Sequence, residues 1–260
     1  MSGQSRSKVV DLVHGRWVTG LARDREEVRE SQALRYRVFA LEMGATLHSP
    51  SPGLDHDAFD PYCRHLVVRD RMTQRVVACT RILEGWQATR AGGFYSAGEF
   101  RLDPLLSLPG RKLEIGRTCV DANYRGGAVL AMLWSGLAAF VHRHRYDYLL
   151  GCASVAAHDN GVAVRSLMAQ MRDRHMTSDM LRVVPHQPVP GDGPLPLEPA
   201  PTPPLLRAYL ALGAKICGEP CLDPDFQVAD LLLLLDIREL SMPYARHFLP
   251  FAERRRGIAA

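Results

Sequence analysis

Seven charged residues stand in an order that suits chemistry on a charged substrate. They are Arg35, Asp55, Asp57, Asp60, Arg81, Glu114 and Arg117. A carboxylate can act as a general base, and a guanidinium can bind a substrate carboxylate through two parallel hydrogen bonds. A plainer interpretation stays open, in which the aspartates lie in a solvated loop rich in proline and glycine. Glu114 would then only form a salt bridge to Arg117 or Arg81.

The spacing of Glu114 and Arg117 predicts an irregular strand. Both lie in a segment, 112–120, whose composition is typical of a β-strand. Successive side chains of a strand alternate between its two faces, so a spacing of three sends the two groups to opposite sides. A β-bulge between them brings both to one side. If the two residues act together, we therefore expect a bulge.

The loop Tyr124-Arg125-Gly126-Gly127 precedes an apolar segment, 126–145, that predicts a helix. Glycine lets a ligand approach the backbone closely, and the first amides of a helix have no partner within the helix. This arrangement suits a phosphate group. Two glycines before a helix are also an ordinary turn, so the loop alone does not identify a ligand.

The remaining pattern predicts one α/β domain, residues 1–260, with a central mixed and twisted sheet flanked by helices. Strands are predicted at 16–21, 65–68, 75–83, 112–120, 146–154, 215–218 and 228–237. Helices are predicted from a cap at Asp24 to Gly44, and at 126–145, 161–174 and 204–213. The strand-helix-strand order of 112–154 predicts parallel pairing.

Two segments are expected outside this framework. Residues 183–204 contain nine prolines and are predicted to form a surface excursion without a regular element. Residues 1–15 are expected to be a peripheral N-terminal segment. The acidic segment 45–61 is predicted to be a loop, and 84–110 a long connection.

Composition argues against several classes of protein. A net charge of +4 over 260 residues is too small to favour nucleic acid as a partner. The arginines at 254–256 are expected to form a solvated tail, with contact to an anionic membrane as the alternative. No apolar run is long enough to span a membrane or to form a secretory signal. The six cysteines lack metal-ligand spacing, so we expect reduced thiols, no metal and a cytoplasmic location.

Six short blocks follow one another along residues 34–237. They are Leu34-Arg35-Tyr36-Arg37-Val38-Phe39, Phe59-Asp60-Pro61-Tyr62-Cys63, Gly92-Gly93-Phe94-Tyr95-Ser96, Glu114-Ile115-Gly116-Arg117, Gly151-Cys152-Ala153-Ser154 and Tyr209-Leu210-x-Leu212-Gly213-Ala214. Together they resemble the bacterial L-ornithine Nα-acyltransferases. The charged set also resembles that of the acyl-homoserine lactone synthases. The resemblance implies a GNAT-like N-acyltransferase fold.

The resemblance also implies a reaction. A 3-hydroxyfatty acyl group would pass from acyl carrier protein to the α-amine of L-ornithine, giving lyso-ornithine lipid. No cofactor is implied beyond the acyl-phosphopantetheine of the carrier, and no metal. The implied catalytic residues are Glu114, as general base, and Arg117. Substrate binding is implied for Arg35, Phe39, Asp55, Asp57, Asp60 and Arg81, and donor binding for Tyr124, Arg125, Gly126 and Gly127.

Several alternatives stay open at this point. One is an acyl-homoserine lactone-type synthase, against which the blocks at 92–96 and at Cys152 argue. Others are acylation of a different amine, such as lysine or a polyamine, and a non-catalytic module that binds acyl carrier protein. The glycines follow Arg125 directly, which departs from the usual acetyltransferase loop. That departure fits a single carrier phosphate but does not exclude coenzyme A.

Overall fold

Apolar runs of the chain form one nine-stranded mixed sheet and a two-stranded ribbon within residues 11–159, 161–191 and 200–240, which the computed structural model describes. The strands are β1 (Leu12–His14), β2 (Trp17–Leu21), β3 (Arg64–Asp70), β4 (Val76–Glu84), β5 (Phe100–Arg101), β6 (Lys112–Val120), β7 (Tyr148–Ala156), β8 (Val184–Pro185), β9 (Lys215–Ile216), β10 (Cys221–Asp223) and β11 (Val228–Asp236). The large sheet has the order β1-β2-β3-β4-β6-β7-β11-β10, with β9 also paired to β11. Of the strand pairs in the described residues, β6 and β7 run parallel and the others antiparallel, including β5 with β8.

Helices flank this sheet, as the sequence predicted. They are α1 (Arg25–Tyr36), α2 (Gly85–Ala91), α3 (Asp103–Leu106), α4 (Ala128–His144), α5 (Val162–His175) and α6 (Pro204–Leu212). The main hydrophobic core joins α4, α5 and α6 to the sheet and includes Leu66, Met132, Leu167 and Leu231. The approach of α4 to β2 depends on Gly136, because a Cβ there would lie 2.5 Å from the Thr19 hydroxyl.

The predicted first helix is confirmed, with one change at each end. Asp24 caps α1 by accepting a hydrogen bond of 2.9 Å from the Glu27 amide. Glu27 accepts from the Arg23 amide at 2.7 Å, so it does not close the capping box on Asp24 itself. After α1 the chain continues as a π-helical turn, Arg37–Glu42, and reaches Gly44 with φ 77°. The left-handed backbone there is the reason that glycine suits this helix end.

The parallel pair β6 and β7 separates within the sheet. Their paired residues end at Glu114 and Leu150, although the strands continue to Val120 and Ala156. On its other side β6 shifts register against β4, so that two residues of β6 lie opposite Thr80. This is the bulge that the Glu114–Arg117 spacing predicted, and Arg117 adopts φ 52° within it.

Some predicted boundaries were incomplete. The strands β1, β5 and β10 were not predicted, and β1 lies inside the segment 1–15 that was expected to be peripheral. The segment 84–110, expected to be a long connection, contains the helices α2 and α3 as well as β5. The prediction that 183–204 contains no regular element is wrong at Val184–Pro185, which pairs with Phe100–Arg101. Proline has no backbone N–H, and a ribbon of two short strands tolerates that loss better than the centre of a wide sheet. Residues 192–199 of that excursion lie outside the described part of the chain.

Candidate active site

Arg35 lies at the centre of a buried ionic network beneath the cavity side of β6. Its Nε donates to Asp55 Oδ2 at 2.9 Å, and its Nη1 and Nη2 donate to the Asp60 carboxylate at 3.0 Å. It also donates to the Asp55 carbonyl oxygen. Only 1% of Arg35 is exposed, because α1 turns this residue toward the sheet. One guanidinium therefore binds two aspartates of the loop 45–61.

Two further arginines complete the network. Arg81 of β4 donates to Asp57 at 2.6 Å and to Asp60 at 3.2 Å. Arg117, at the β6 bulge, donates through Nε to Asp55 at 3.1 Å. The structure thus brings six of the seven predicted charged residues into contact, three basic and three acidic.

This network excludes the solvated-loop interpretation. Asp55 and Asp60 are buried, and each carboxylate contacts two arginines. Burial favours the neutral form of Asp60, yet the Arg35 charge and hydrogen bonds outweigh it and hold the Asp60 pKa well below its usual range. The three aspartates are therefore already compensated by protein cations.

Glu114 has a different environment from the one expected of a simple salt bridge. Its two carboxylate oxygens accept backbone hydrogen bonds from Tyr95 at 2.6 Å and from Ser96 at 2.9 Å. These bonds hold the short 3₁₀ turn Tyr95–Gly98 against β6. Burial raises the Glu114 pKa, and the two amides oppose that rise. No ion pair joins Glu114 to an arginine within 4.0 Å among the described residues.

A cavity of about 640 Å³ opens where β6 and β7 separate. Glu114, Arg117 and Arg81 all line it, which places both members of the Glu-x-x-Arg motif at one cavity. Phe39 lines it too and packs edge-to-face on Phe226, with ring centroids 5.6 Å apart. Further apolar wall residues are Val38, Leu83, Leu130, Leu205 and Val228. A cavity with an apolar wall and a charged wall suits an acyl chain joined to a polar head.

The arginines keep hydrogen-bonding capacity toward this cavity. Bonds from Arg81 to described residues use only Nη1, and bonds from Arg117 use Nε and Nη2. The Arg117 Nη2 group donates to the Tyr95 hydroxyl at 3.2 Å. Both guanidiniums lie over the Tyr95 ring, at 5.4 and 4.9 Å from its centroid. Their positions are fixed, and unused N–H groups remain for a substrate carboxylate.

The predicted phosphate loop is only partly directed at the cavity. Arg125 and Gly127 line it, and Gly127, with φ 87°, directly precedes α4. Arg125 forms an ion pair with Glu42. Tyr124 instead packs edge-to-face on Trp17, with centroids 5.8 Å apart, away from the cavity lining.

Sequence reasoning missed a second group of acids. Glu99, Asp223 and Asp230 line the same cavity, and one oxygen of each lies within 4.8 Å of the others. The available signal was Asp230, an acid inside the apolar run Val228–Asp236, since acids are seldom buried without a partner. The other two lie in loops or at a strand end, where sequence offers no such contrast.

The fold and this cavity define an acyltransferase of the GNAT class. The family model for the acetyltransferase (GNAT) domain matches residues 34–135. Among solved structures, the coenzyme A-dependent acyl-homoserine lactone synthase BjaI, with S-adenosylmethionine and isopentyl-CoA, aligns with a TM-score of 0.52 and 16% identity over 96% of this chain and 92% of that one. The acyl-homoserine lactone synthase LasI aligns with a TM-score of 0.50 and 15% identity over 85% and 89%. At these identities the structures share the fold alone.

The chain belongs to the L-ornithine Nα-acyltransferase family. A relative of that name from Rhodobacter capsulatus is 34% identical over 256 residues, covering 90% of this chain and 95% of the relative. Relatives of the same name from Rhizobium meliloti and Brucella abortus are also 34% identical, over 88% and 90% of this chain and 83% and 89% of theirs. In the described part of the chain, none of the helices combines the length and apolarity required to cross a membrane.

Proposed function

We propose that the protein transfers a 3-hydroxyfatty acyl group from acyl carrier protein to the α-amine of L-ornithine, giving lyso-ornithine lipid. The observation that carries the proposal is the single cavity between β6 and β7, where an apolar wall meets Arg81 and Arg117. An acyl chain matches the apolar wall, and an amino-acid carboxylate matches the two arginines. We choose ornithine as the acceptor because the relatives are named for it.

The reaction needs an aligned thioester carbonyl, a deprotonated amine and hydrogen-bond donors for the developing oxyanion. The amine nitrogen attacks the thioester carbonyl carbon, the N–C bond forms and the C–S bond breaks. The leaving pantetheine sulfur takes up the proton that the amine gives up. Backbone N–H groups at the bulge, residues 116–118, are the proposed oxyanion donors, since part of this segment lacks a partner in β4.

Glu114 is the proposed general base. Each of its oxygens accepts one backbone amide but retains further acceptor capacity, so a water molecule between Glu114 and the amine can carry the proton. Burial raises its pKa, which makes the carboxylate a better proton acceptor near neutral pH. The same bonds give it a structural role in holding Tyr95 and Ser96.

The proposed donor site lies at the start of α4. The backbone from Arg125 to Ala128 is exposed, and Gly127 and Arg125 border the cavity mouth. Free amides at the start of a long helix favour a phosphate, here that of the carrier's pantetheine. Contact with an anionic membrane through the arginines at 254–256 is a further expectation, and those residues lie outside the described part of the chain.

The direct test supplies 3-hydroxyacyl carrier protein or 3-hydroxyacyl coenzyme A with L-ornithine, L-lysine, putrescine or S-adenosylmethionine, and identifies products by mass spectrometry. We expect lyso-ornithine lipid from ornithine with the carrier-bound donor. Acylation of only another amine, or formation of a lactone from S-adenosylmethionine, would refute the acceptor. Equal or better use of the coenzyme A donor would refute the carrier dependence.

Variants then test the roles of Glu114 and Arg117. Glu114→Gln keeps an acceptor oxygen for one amide and should lower kcat about 100-fold or more, with a smaller change in KM. Arg117→Ala should raise the KM for ornithine. Circular dichroism and melting curves separate these effects from unfolding. Wild-type kcat in a folded Glu114→Gln protein excludes Glu114 as the base.

A further inference from the structure

The three acids missed by sequence reasoning form a compact group on one wall of the cavity. Asp230 comes from β11, Asp223 ends β10, and Glu99 directly follows the 3₁₀ turn held by Glu114. One oxygen of each lies within 4.8 Å of the other two, and all three face the same space as Arg81 and Arg117. We call this group the acidic subsite.

The acidic subsite differs from the arginine network because no protein cation neutralises it. Among the described residues, no Arg, Lys or His nitrogen lies within 4.0 Å of Glu99, Asp223 or Asp230, although Asp55 and Asp60 each contact two arginines. Burial without a counter-charge is costly for a carboxylate. Such carboxylates either take up a proton or bind a cation from outside the chain.

Asp230 is the most deeply buried acid of the subsite. Its side chain is 95% buried, as only 5% of the residue is exposed. Oδ1 accepts a hydrogen bond of 2.6 Å from the Ser154 hydroxyl, Oδ2 has no hydrogen-bond donor among the described residues, and the residue lines the cavity. Within the described residues, Glu99 accepts only a thiol hydrogen bond of 3.4 Å from Cys152. Asp223 Oδ1 accepts the backbone amides of Asp225 and Phe226 at 3.0 and 3.1 Å, which leaves its other oxygen. Such an acceptor set is ready for a donor with several N–H groups.

We propose that the acidic subsite binds the side-chain ammonium of the acceptor, and so makes the enzyme specific for diamino acids. The inference rests on the proposed N-acylation and adds its specificity determinant. Arg81 and Arg117 hold the α-carboxylate, the acidic subsite holds the far ammonium, and the α-amine lies between them toward the gap of β6 and β7. The aspartates at 55, 57 and 60, which the resemblance assigned to substrate binding, form ion pairs with arginines instead.

The spacing of the three oxygens fits one ammonium. An ammonium that donates three hydrogen bonds of about 2.8 Å in tetrahedral directions sets its acceptors about 4.6 Å apart. Octahedral Mg²⁺, with bonds of about 2.1 Å, requires adjacent oxygens only about 3 Å apart. The three oxygens lie within 4.8 Å of one another, a range that contains both spacings, so the EDTA experiment below separates the ammonium from a metal ion.

The electrostatics agree with this geometry. Burial first, and the neighbouring Asp230 charge second, raise the Glu99 pKa to about 8. Burial also raises the Asp230 pKa to about 6, with Asp223 adding to the effect and Arg117 opposing it. A bound ammonium relieves this repulsion and favours the charged carboxylates. Ornithine binding should therefore release protons from the subsite below about pH 8.

The test compares two acceptors that differ only in the far ammonium, L-ornithine and L-norvaline. Asp230→Asn and Glu99→Gln keep side-chain size and remove the charge. We expect the ornithine KM to rise at least tenfold in either variant, and the norvaline kcat/KM to stay within about twofold. Asp225→Asn, in the same turn but 47% exposed at the side chain and outside the cavity, is the matched control and should change neither.

Each outcome has one meaning. Equal losses for both acceptors overturn the subsite while the proposed function stands. If wild-type protein acylates neither amino acid, the proposed function fails, and calorimetric binding of ornithine and norvaline decides the subsite separately. Preferential ornithine binding that Asp230→Asn abolishes supports it, and equal binding refutes it. Activity that EDTA removes and Mg²⁺ or Ca²⁺ restores replaces the ammonium with a metal and also overturns the inference.

Discussion

Replacing Arg35 with methionine should unfold the acidic loop from the protein and lower global stability. Methionine fills much of the space but provides no hydrogen-bond donor. It removes bonds of 2.9 Å to Asp55 and 3.0 Å to Asp60, both of which are buried. Breaking a buried ion pair by removing one partner costs about 3–5 kcal/mol, because the other charge is left in a low-dielectric site.

The contacts that remain place the expected loss at the lower end. Asp55 keeps Arg117 at 3.1 Å, and Asp60 keeps Arg81 at 3.2 Å. We therefore expect the free energy of unfolding to fall by about 3 kcal/mol, a large share of the 5–15 kcal/mol usual for a folded domain. In urea, with a slope near 3 kcal/mol per molar, the midpoint should fall by about 1 M.

Urea titrations followed by tryptophan fluorescence and circular dichroism provide the assay. Arg37→Met is the matched control, because Arg37 lies two residues away, is 40% exposed at its side chain and reaches Asp121 only at 3.8 Å. Its loss should stay below about 0.5 kcal/mol. Arg35→Lys keeps the charge without the planar fork and should fall between the two. If Arg35→Met lowers the free energy of unfolding by less than about 1 kcal/mol, the ion pairs of Arg35 do not contribute substantially to stability.

Three further predictions follow from separate parts of the structure. Gly136→Ala should lower the free energy of unfolding by about 1–3 kcal/mol, because the new Cβ would overlap a side chain of β2. Gly98→Ala is the control, since its Cβ would meet open space, and melting curves compare the two variants. Tyr95→Phe removes the hydroxyl that accepts from Arg117 and should raise the ornithine KM severalfold at unchanged stability, which steady-state kinetics would reveal. The Glu99 pKa is raised to about 8, so between about pH 4 and 8 the folded state keeps a proton that the unfolded state has lost. The free energy of unfolding should therefore fall as pH rises through this range, by at most about 1.4 kcal/mol per pH unit. Glu99→Gln should flatten that slope in urea titrations repeated at several pH values.

Much of the fold was predictable because local patterns specify it. The strand at Lys112–Val120 was predicted at its observed limits, and its bulge followed from the Glu114–Arg117 spacing. The sequence pattern failed where an element depends on a distant partner. The two-residue strand Val184–Pro185 exists only because Phe100–Arg101 lies beside it. Short edge strands carry too few residues for a period to be read.

The candidate site was likewise predictable only in part. The order of charged residues identified the arginines and acids that meet at β6, and the family resemblance is confirmed by relatives at 34% identity. It did not indicate how the charges pair. Asp60 could have been solvated, bound to substrate or paired with Arg35. The outcome depends on how its loop is buried, and Asp60 is 25 residues away from Arg35 in the chain. Burial and pairing are properties of tertiary contact.

By itself, the sequence determined the class of fold, the strand carrying Glu114 and Arg117, and the family. Periodicity, glycine positions and ordered motifs act over short stretches, so they are visible without coordinates. Only the tertiary structure decided that the loop aspartates are neutralised by arginines, while Glu99, Asp223 and Asp230 face the cavity without a cation. The physical reason is that the cost of a carboxylate depends on its burial and nearest counter-charge, which residues distant in sequence supply.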